Sequence, residues 1–475
     1  MKLKKVVSAL LVSTMLLSCV ACGNNNKNTD DANKDNNDTK TPSTEAGDDA
    51  NTPDDSADVT GDGKLVIWTL AKDLETFAEK YMESHDVDIE TVVIEPANYP
   101  TKVQTALNAG EKEPDIIVGE PQMLEDFFDA GYFEDLNQAP YNAQDYADQI
   151  VDYVWEVGQD ADGIQRAISY QITPAGFYYR RDIAQDVFGT EDPEEIGKLF
   201  ADYPTILDTA KKLKDKGYRI FASDGELNFF SGNTAWVVDN KLTVSEQRHA
   251  YMDLCVELYK QDLTAYAAQW STPWYQAMSG PVPVLTADSD VNVWDATEFA
   301  SATEGGATTE IFAYGLPAWG VLTMRDNVGE TSGKWGVCAG PTYGFSGGTY
   351  IGISANSERK DTAWDFLKFC TLNEETADWW IKKSEGDTVS LLSALEKHKD
   401  DGNEVYGGQK LYSFWLEQAE GLDYSVVTRY DTAIGNAWSN AITAIKTDEK
   451  SKEDAIAGFY DEVAATYPEL TIERE

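Results

Sequence analysis

The chain has 475 residues and a formal net charge of −45, with 83 acidic residues against 38 basic ones. That balance argues against nucleic acid as a partner, because phosphate contacts need clustered Lys and Arg. Five cysteines are present, and the ones in the body (Cys255, Cys338 and Cys370) are too scattered for a disulfide framework or a zinc site.

The N-terminus has the layout of a secretory signal. Lys2, Lys4 and Lys5 precede the apolar run from Val6 to Leu17, which is too short to span a bilayer. Ala21 before Cys22 resembles a bacterial lipobox, so residues 1–22 read as a lipoprotein leader with Cys22 as the acceptor of a diacylglycerol. Cys19 is a second candidate. Residues 23–60 are nearly all Asn, Asp, Thr, Lys, Ser, Pro and Ala, without an aromatic ring. Such a stretch buries too little apolar area to offset its ordering entropy and is expected to be a disordered acidic tether. Its reach as a flexible coil is about 30–35 Å.

From residue 61 onward strand and helix patterns alternate. Lys64 to Leu70 is a continuous apolar run, as in a strand covered on both faces. Leu74, Phe77, Ala78 and Tyr81 follow at helical spacing, then a strand from Val87 to Ile94. Tyr99, Val103, Ala106 and Leu107 predict a second helix ended by Gly110. Pro114 to Gly119 is a third strand, followed by helical Met123, Leu124, Phe127 and Phe128. This order predicts a wound α/β sheet, and the length allows two cores.

The residues Gly63 to Trp68, Tyr99 with Lys102 to Gly110, and Pro114 to Val118 resemble the first lobe of carbohydrate-type bacterial extracellular solute-binding proteins, family 1, the maltose-binding-like group. Pro174 to Asp182 is similar to the family's strand entering the second lobe. Gly347 to Ser357, then Asp361 to Phe369, resemble its later strand and helix. The resemblance implies a two-lobed α/β fold of the periplasmic-binding-protein type (type II), with a ligand cleft between lobes joined by crossing strands. It assigns 61–172 to the first lobe, 173–338 to the second, 339–410 to a return to the first, and 411–475 to C-terminal helices of the second. It further implies a monomer that binds a sugar or oligosaccharide without a cofactor and delivers it to the permease of an ABC transporter. With the leader, this places the protein on the outer face of a cell membrane, held by lipid, as in a Gram-positive bacterium. No phosphate-binding loop is present, so transport would be powered by another chain.

Matching the family's ligand loops gives the candidate site. Trp68 ends the first strand, and Glu120 and Gln122 follow the third. Tyr170, Gln171 and Thr173 lie on the first crossing. Asp288, Asp290 and Trp294 stand where the family has a strand and a stacking-tryptophan loop, although its usual Asn-Gly-Pro-Trp is missing here. Tyr343 and Gly348 lie near a further crossing, and Arg429 and Tyr430 begin a late helix. Trp236, Trp270 and Trp274 fall in a polar region that could line the cleft, with Trp274 taken into the set. A pyranose has an apolar face and a hydroxyl rim, so aromatic platforms with fixed acceptors suit it. Most of the 13 Trp and 24 Tyr must nonetheless be packing.

No catalytic set stands out: His85, His249 and His398 are scattered, and no carboxylate pair is singled out. The rival ligands on the same fold are a polyamine, suited by Glu120, Asp288 and Asp290, and a metal ion, for which adjacent Tyr178 and Tyr179 would serve.

Overall fold

The structure, a computed structural model, describes residues 64–231, 234–303 and 306–474. The leader, Cys22 and the tether lie outside the described residues. No helix among the described residues is long and apolar enough to cross a bilayer.

The strands, in chain order, are β1 (Leu65–Thr69), β2 (Ile89–Val93), β3 (Ile116–Gly119), β4 (Ala167–Ser169), β5 (Ala175–Arg180) and β6 (Arg219–Phe221). The short β7 (Val237–Val238), β8 (Lys241–Leu242), β9 (Val282–Pro283) and β10 (Thr308–Thr309) follow. The last are β11 (Ile311–Pro317), β12 (Trp335–Cys338) and β13 (Tyr350–Ile353). Two mixed sheets organise them, one in the order β2-β1-β3-β13-β4 and one in the order β12-β5-β11-β6.

The expected pattern of the first third is present. Asp73–Met82 is a helix that buries Leu74, Phe77, Ala78 and Tyr81, one stripe at helical spacing. Tyr99–Asn108 carries Pro100 in its first turn, where a missing N–H costs nothing, and Gly110 behind it takes the left-handed conformation at φ +77°. Each helix connects two strands paired in parallel through β1.

Strand ends define where the sheets meet. In the first sheet Tyr350 opens β13 opposite Gly119, which closes β3, and opposite Ser169, which closes β4. In the second, Ala175 opens β5 opposite Pro317, which closes β11, and Cys338 closes β12 opposite Phe177. The chain passes from Ser169 to Ala175 and from Cys338 to Tyr350. Both passages therefore join these two edges, and the loops at the C-terminal ends of β1, β3, β6 and β11 gather there.

The core does not split cleanly by sheet. One cluster runs from the first sheet across one face of the second, taking in Tyr178, Tyr314 and Trp335. A second fills the other face, with Phe177, Tyr179, Phe312 and the last two long helices, Asp431–Lys446 and Lys452–Thr466. Helix Leu411–Glu420 belongs to the first cluster through Leu411, Tyr412, Trp415 and Ala419. Trp415 stands 6.0 Å from the Tyr178 ring, so this helix packs beneath the joint rather than among the C-terminal pair.

Candidate functional site

The loop after β3 presents polar side chains at the end of the first sheet where the chain crosses to the second. Glu120 caps the helix Pro121–Asp129 in extended conformation. It accepts a 2.6 Å hydrogen bond from the Gln122 side-chain amide. Burial raises the Glu120 pKa, and the Gln122 amide partly offsets this. Glycines bring the facing backbone close. Gly348 has φ +115°, and a Cβ there would fall 2.9 Å from Tyr350 and 3.9 Å from Pro121. A Cβ on Gly347 would lie 3.2 Å from Trp319 Nε1.

Trp319 is the aromatic ring nearest the Gly347 backbone on the second sheet's side. It follows β11 directly, and its indole N–H donates to Ser346 O at 3.0 Å. Trp270 stacks on it, with centroids 6.0 Å apart and planes 26° apart. Trp270 is 41% exposed and sits at φ +68°. A bulky side chain in that region is a genuine outlier, held only where its surroundings over-determine it. The support is visible: Ala265 and Ala267 run alongside β6 through hydrogen bonds to Phe221 and Ala222, carrying the chain to the cleft edge at Trp270. Glu226 and Trp274 sit underneath. Trp274 Nε1 donates to Glu226 Oε1 at 2.5 Å, and Gly315 N donates to its other oxygen at 3.1 Å. Burial pushes the Glu226 carboxyl up to about 8.

The crossing Tyr170 to Thr173 is present at the joint but buried. Tyr170 donates to Asp73 Oδ2 at 2.7 Å, Gln171 Nε2 donates to Tyr170 Oη at 3.0 Å, and Thr173 Oγ1 lies 3.1 Å from Tyr424 Oη. Tyr424 itself stacks on Tyr153.

Several expected site residues fall elsewhere. Asp288, Asp290 and Trp294 were expected on a strand and the tryptophan loop that follows it, lining the cleft. Instead β9 pairs only with β10, and Ala287 N donates to Asp262 Oδ1. Asp262 lies beside the start of β6, and Thr309 Oγ1 donates to Gly217 O there. The start of the acidic loop is therefore tied to the segment beside β6, the edge strand of the second sheet, and Trp294 is 62% exposed. Trp274 is fully buried beneath Trp270, 4.8 Å away, and offers no surface. Trp68 is half-buried with Lys102 Nζ 4.8 Å over its ring, which places it toward the helix Tyr99–Asn108. Tyr343 is half-exposed, close enough to Gly421 that a Cβ there would meet its ring at 2.4 Å. Arg429 pairs with acidic residues of the helix Pro121–Asp129, and Tyr430 meets Tyr467 edge-on. Tyr178 donates to Pro317 O and Tyr179 to Glu191 O, so the two hydroxyls are engaged separately.

The model of a family described as bacterial extracellular solute-binding protein matches residues 76–389, well over half of the chain. The chain belongs to this family. Its members bind solutes and are not enzymes. This solute-binding protein is similar to a crystal structure of an extracellular solute-binding protein of family 1, at 19% identity and TM-score 0.66, covering 85% of this chain and 99% of that one. It is also similar to the galacto-N-biose/lacto-N-biose I-binding protein of an ABC transporter from Bifidobacterium longum, solved with lacto-N-biose (15% identity, TM-score 0.61, covering 88% and 100%). A third is an ABC-transporter-associated binding protein from B. animalis subsp. lactis in complex with beta-1,6-galactobiose (17%, 0.61, covering 86% and 99%). At such identities the likeness establishes the two-lobed fold. No curated protein is matched by the sequence.

Sequence reasoning missed Trp319 and left Trp270 outside the chosen set. A usable signal existed: the apolar run Ile311 to Leu316, closed by Pro317, marks a strand end at which the next large ring is Trp319.

Proposed function

We propose that this solute-binding protein captures a sugar or oligosaccharide in the cleft and hands it to the permease of an ABC transporter. The observation that carries the reading is Trp270, a strained and partly exposed ring stacked on Trp319 at the edge where both crossings meet. Pro121, between Glu120 and Gln122, approaches Gly348 of the neighbouring turn from the other sheet. A flat apolar platform facing fixed acceptors is what a pyranose needs. The neighbours solved in complex with lacto-N-biose and beta-1,6-galactobiose agree with it. Two crossings at one edge suit hinge closure, in which ligand favours the form that contacts both lobes. The lipid on Cys22, the tether of residues 23–60, the monomeric state and the outward-facing membrane location complete the proposal, since a receptor feeding a permease works best held near it.

A thermal-shift screen of sugars, polyamines and metal ions tests the ligand class. Ligand at a hundred times its dissociation constant adds about 2.7 kcal/mol, which a melt resolves. Stabilisation by polyamines alone would replace the sugar reading. Labelling with a tagged fatty acid tests the anchor, which Cys22→Ser should abolish.

A further inference from the structure

We infer that a small pocket beside the cleft, built around Arg248, receives the carboxylate of an acidic sugar. The inference rests on the saccharide reading and narrows its substrate class. The pocket holds about 150 Å³ between Asn228, Arg248, Thr342, Tyr343 and Asp431. It adjoins the tryptophan platform, because Asn228 Nδ2 donates to Gln269 Oε1 at 3.4 Å and Gln269 precedes Trp270. One saccharide could rest a ring on Trp270 and place an end here.

The charge balance points to an anion. Arg248 is only 5% exposed. Its Nη2 donates to Thr234 O at 2.6 Å, and its guanidinium lies 3.5 Å from the centroid of the Trp236 ring. Its Nε is buried without a hydrogen-bond partner. Among the described residues no carboxylate comes within ion-pairing distance of it. Asp431, which also lines the pocket, accepts instead from Thr428 N at 3.2 Å and Thr428 Oγ1 at 2.6 Å. Burial consequently pulls Arg248 down to about 10, opposed by the more distant Asp431. Removing a cation from water without a matched anion is costly, and a fork of N–H donors is the standard recogniser of a carboxylate.

Two helix starts add to the field. Arg248 sits in the first turn of Glu246–Lys260, and Asp431 opens Asp431–Lys446. Each helix begins at or next to a residue that lines the pocket, so both positive ends lie near it. The Asp431 carboxylate answers one positive contribution and leaves the rest, which suits a monoanion better than a phosphate. The half-exposed Tyr343 ring at the rim supplies a surface for the sugar bearing that carboxylate.

Calorimetric titration of the whole protein tests this with a broad panel of neutral disaccharides and the same sugars oxidised at C6 to uronates. At least one uronate should bind about 10- to 100-fold more tightly than its neutral parent, the range of a charge-assisted hydrogen bond. Arg248→Gln should abolish that preference. Asp431→Asn, which removes the competing negative charge from the pocket, should widen it, and this second variant does not depend on Arg248→Gln folding. Neutral parents that bind as well as every uronate, or a preference that survives Arg248→Gln in folded protein, would overturn the inference and leave the saccharide reading intact. Wild type that binds no sugar of either kind would overturn both.

Discussion

Arg429 and Glu125 join the two sheets' territories: Arg429 Nη2 lies 2.8 Å from Glu125 Oε1, and the Arg429 backbone N–H donates to the other carboxylate oxygen at 3.0 Å. Glu125 stands on the helix after β3, which packs into the first cluster through Leu124 and Phe127. Arg429 leads into Asp431–Lys446, which packs into the second. Asp126 at 3.0 Å and Asp129 complete the ring of carboxylates around the guanidinium. The hydrogen bond to Glu125, helped by that to Asp129, holds Arg429 firmly charged against the opposing effect of burial. Arg429, expected from sequence to touch ligand, thus acts across the joint.

Exposed ion pairs contribute about 0.2–1 kcal/mol each and are screened by salt. Arg429→Gln should therefore let the unliganded protein open further at low ionic strength and resemble wild type at high salt. X-ray scattering reads this as a larger radius of gyration for the variant in low salt only. Superimposable low-salt curves would show that the link does not bias opening.

Trp270 is placed by strain and stacking rather than by burial, so binding and stability should separate. Trp270→Gly suits φ +68° and removes a backbone cost of about 1–3 kcal/mol, against loss of the contacts with Trp319 and Trp274. Its melting temperature should stay near that of wild type while sugar affinity falls at least about tenfold, the worth of an aromatic contact plus buried area. Unchanged affinity would move the platform elsewhere.

Asp290→Asn and Trp294→Ala should leave affinity for any cleft ligand unchanged within error, because the start of their loop is tied through Ala287 N to Asp262, beside the start of β6 and away from the strand ends that carry Glu120 and Trp319. A large loss in titration calorimetry with either variant would mean that the ligand reaches that edge.

The first lobe was legible because its elements are regular. Continuous apolar strands and the stripes Leu74, Phe77, Tyr81 and Tyr99, Val103, Leu107 leave one reading, and the structure follows it within two residues. The site was legible where a strand end was, as at Glu120 and Gly348. At Asp288 to Trp294 local pattern carried no information about the edge the segment serves, because β9 is two residues long and pairs with β10 outside the main sheets. Trp270 escaped for a related reason. Leu263 to Ala267 hydrogen-bond along β6 without an alternating pattern, so only tertiary structure carries that ring to the cleft.

Asp387 gives a pH test of the joint's foundations. Its side chain is wholly buried and accepts from Trp380 Nε1 at 3.0 Å and Thr388 N at 2.9 Å. Burial, with Asp73 nearby, pushes its carboxyl from 3.8 up to about 7. A raised carboxyl means that the folded state keeps a proton the unfolded chain has already lost, so its contribution to stability falls as pH rises from about 4 to 7. A shift of about 3 units corresponds to at most about 4 kcal/mol. Asp387→Asn removes the titration while keeping the shape and one acceptor. Denaturant titrations at pH 5 and pH 8 should show wild type losing more stability across this interval than the variant. Equal losses would mean that Asp387 is ionised throughout, its charge carried by the Trp380 and Thr388 donors despite burial.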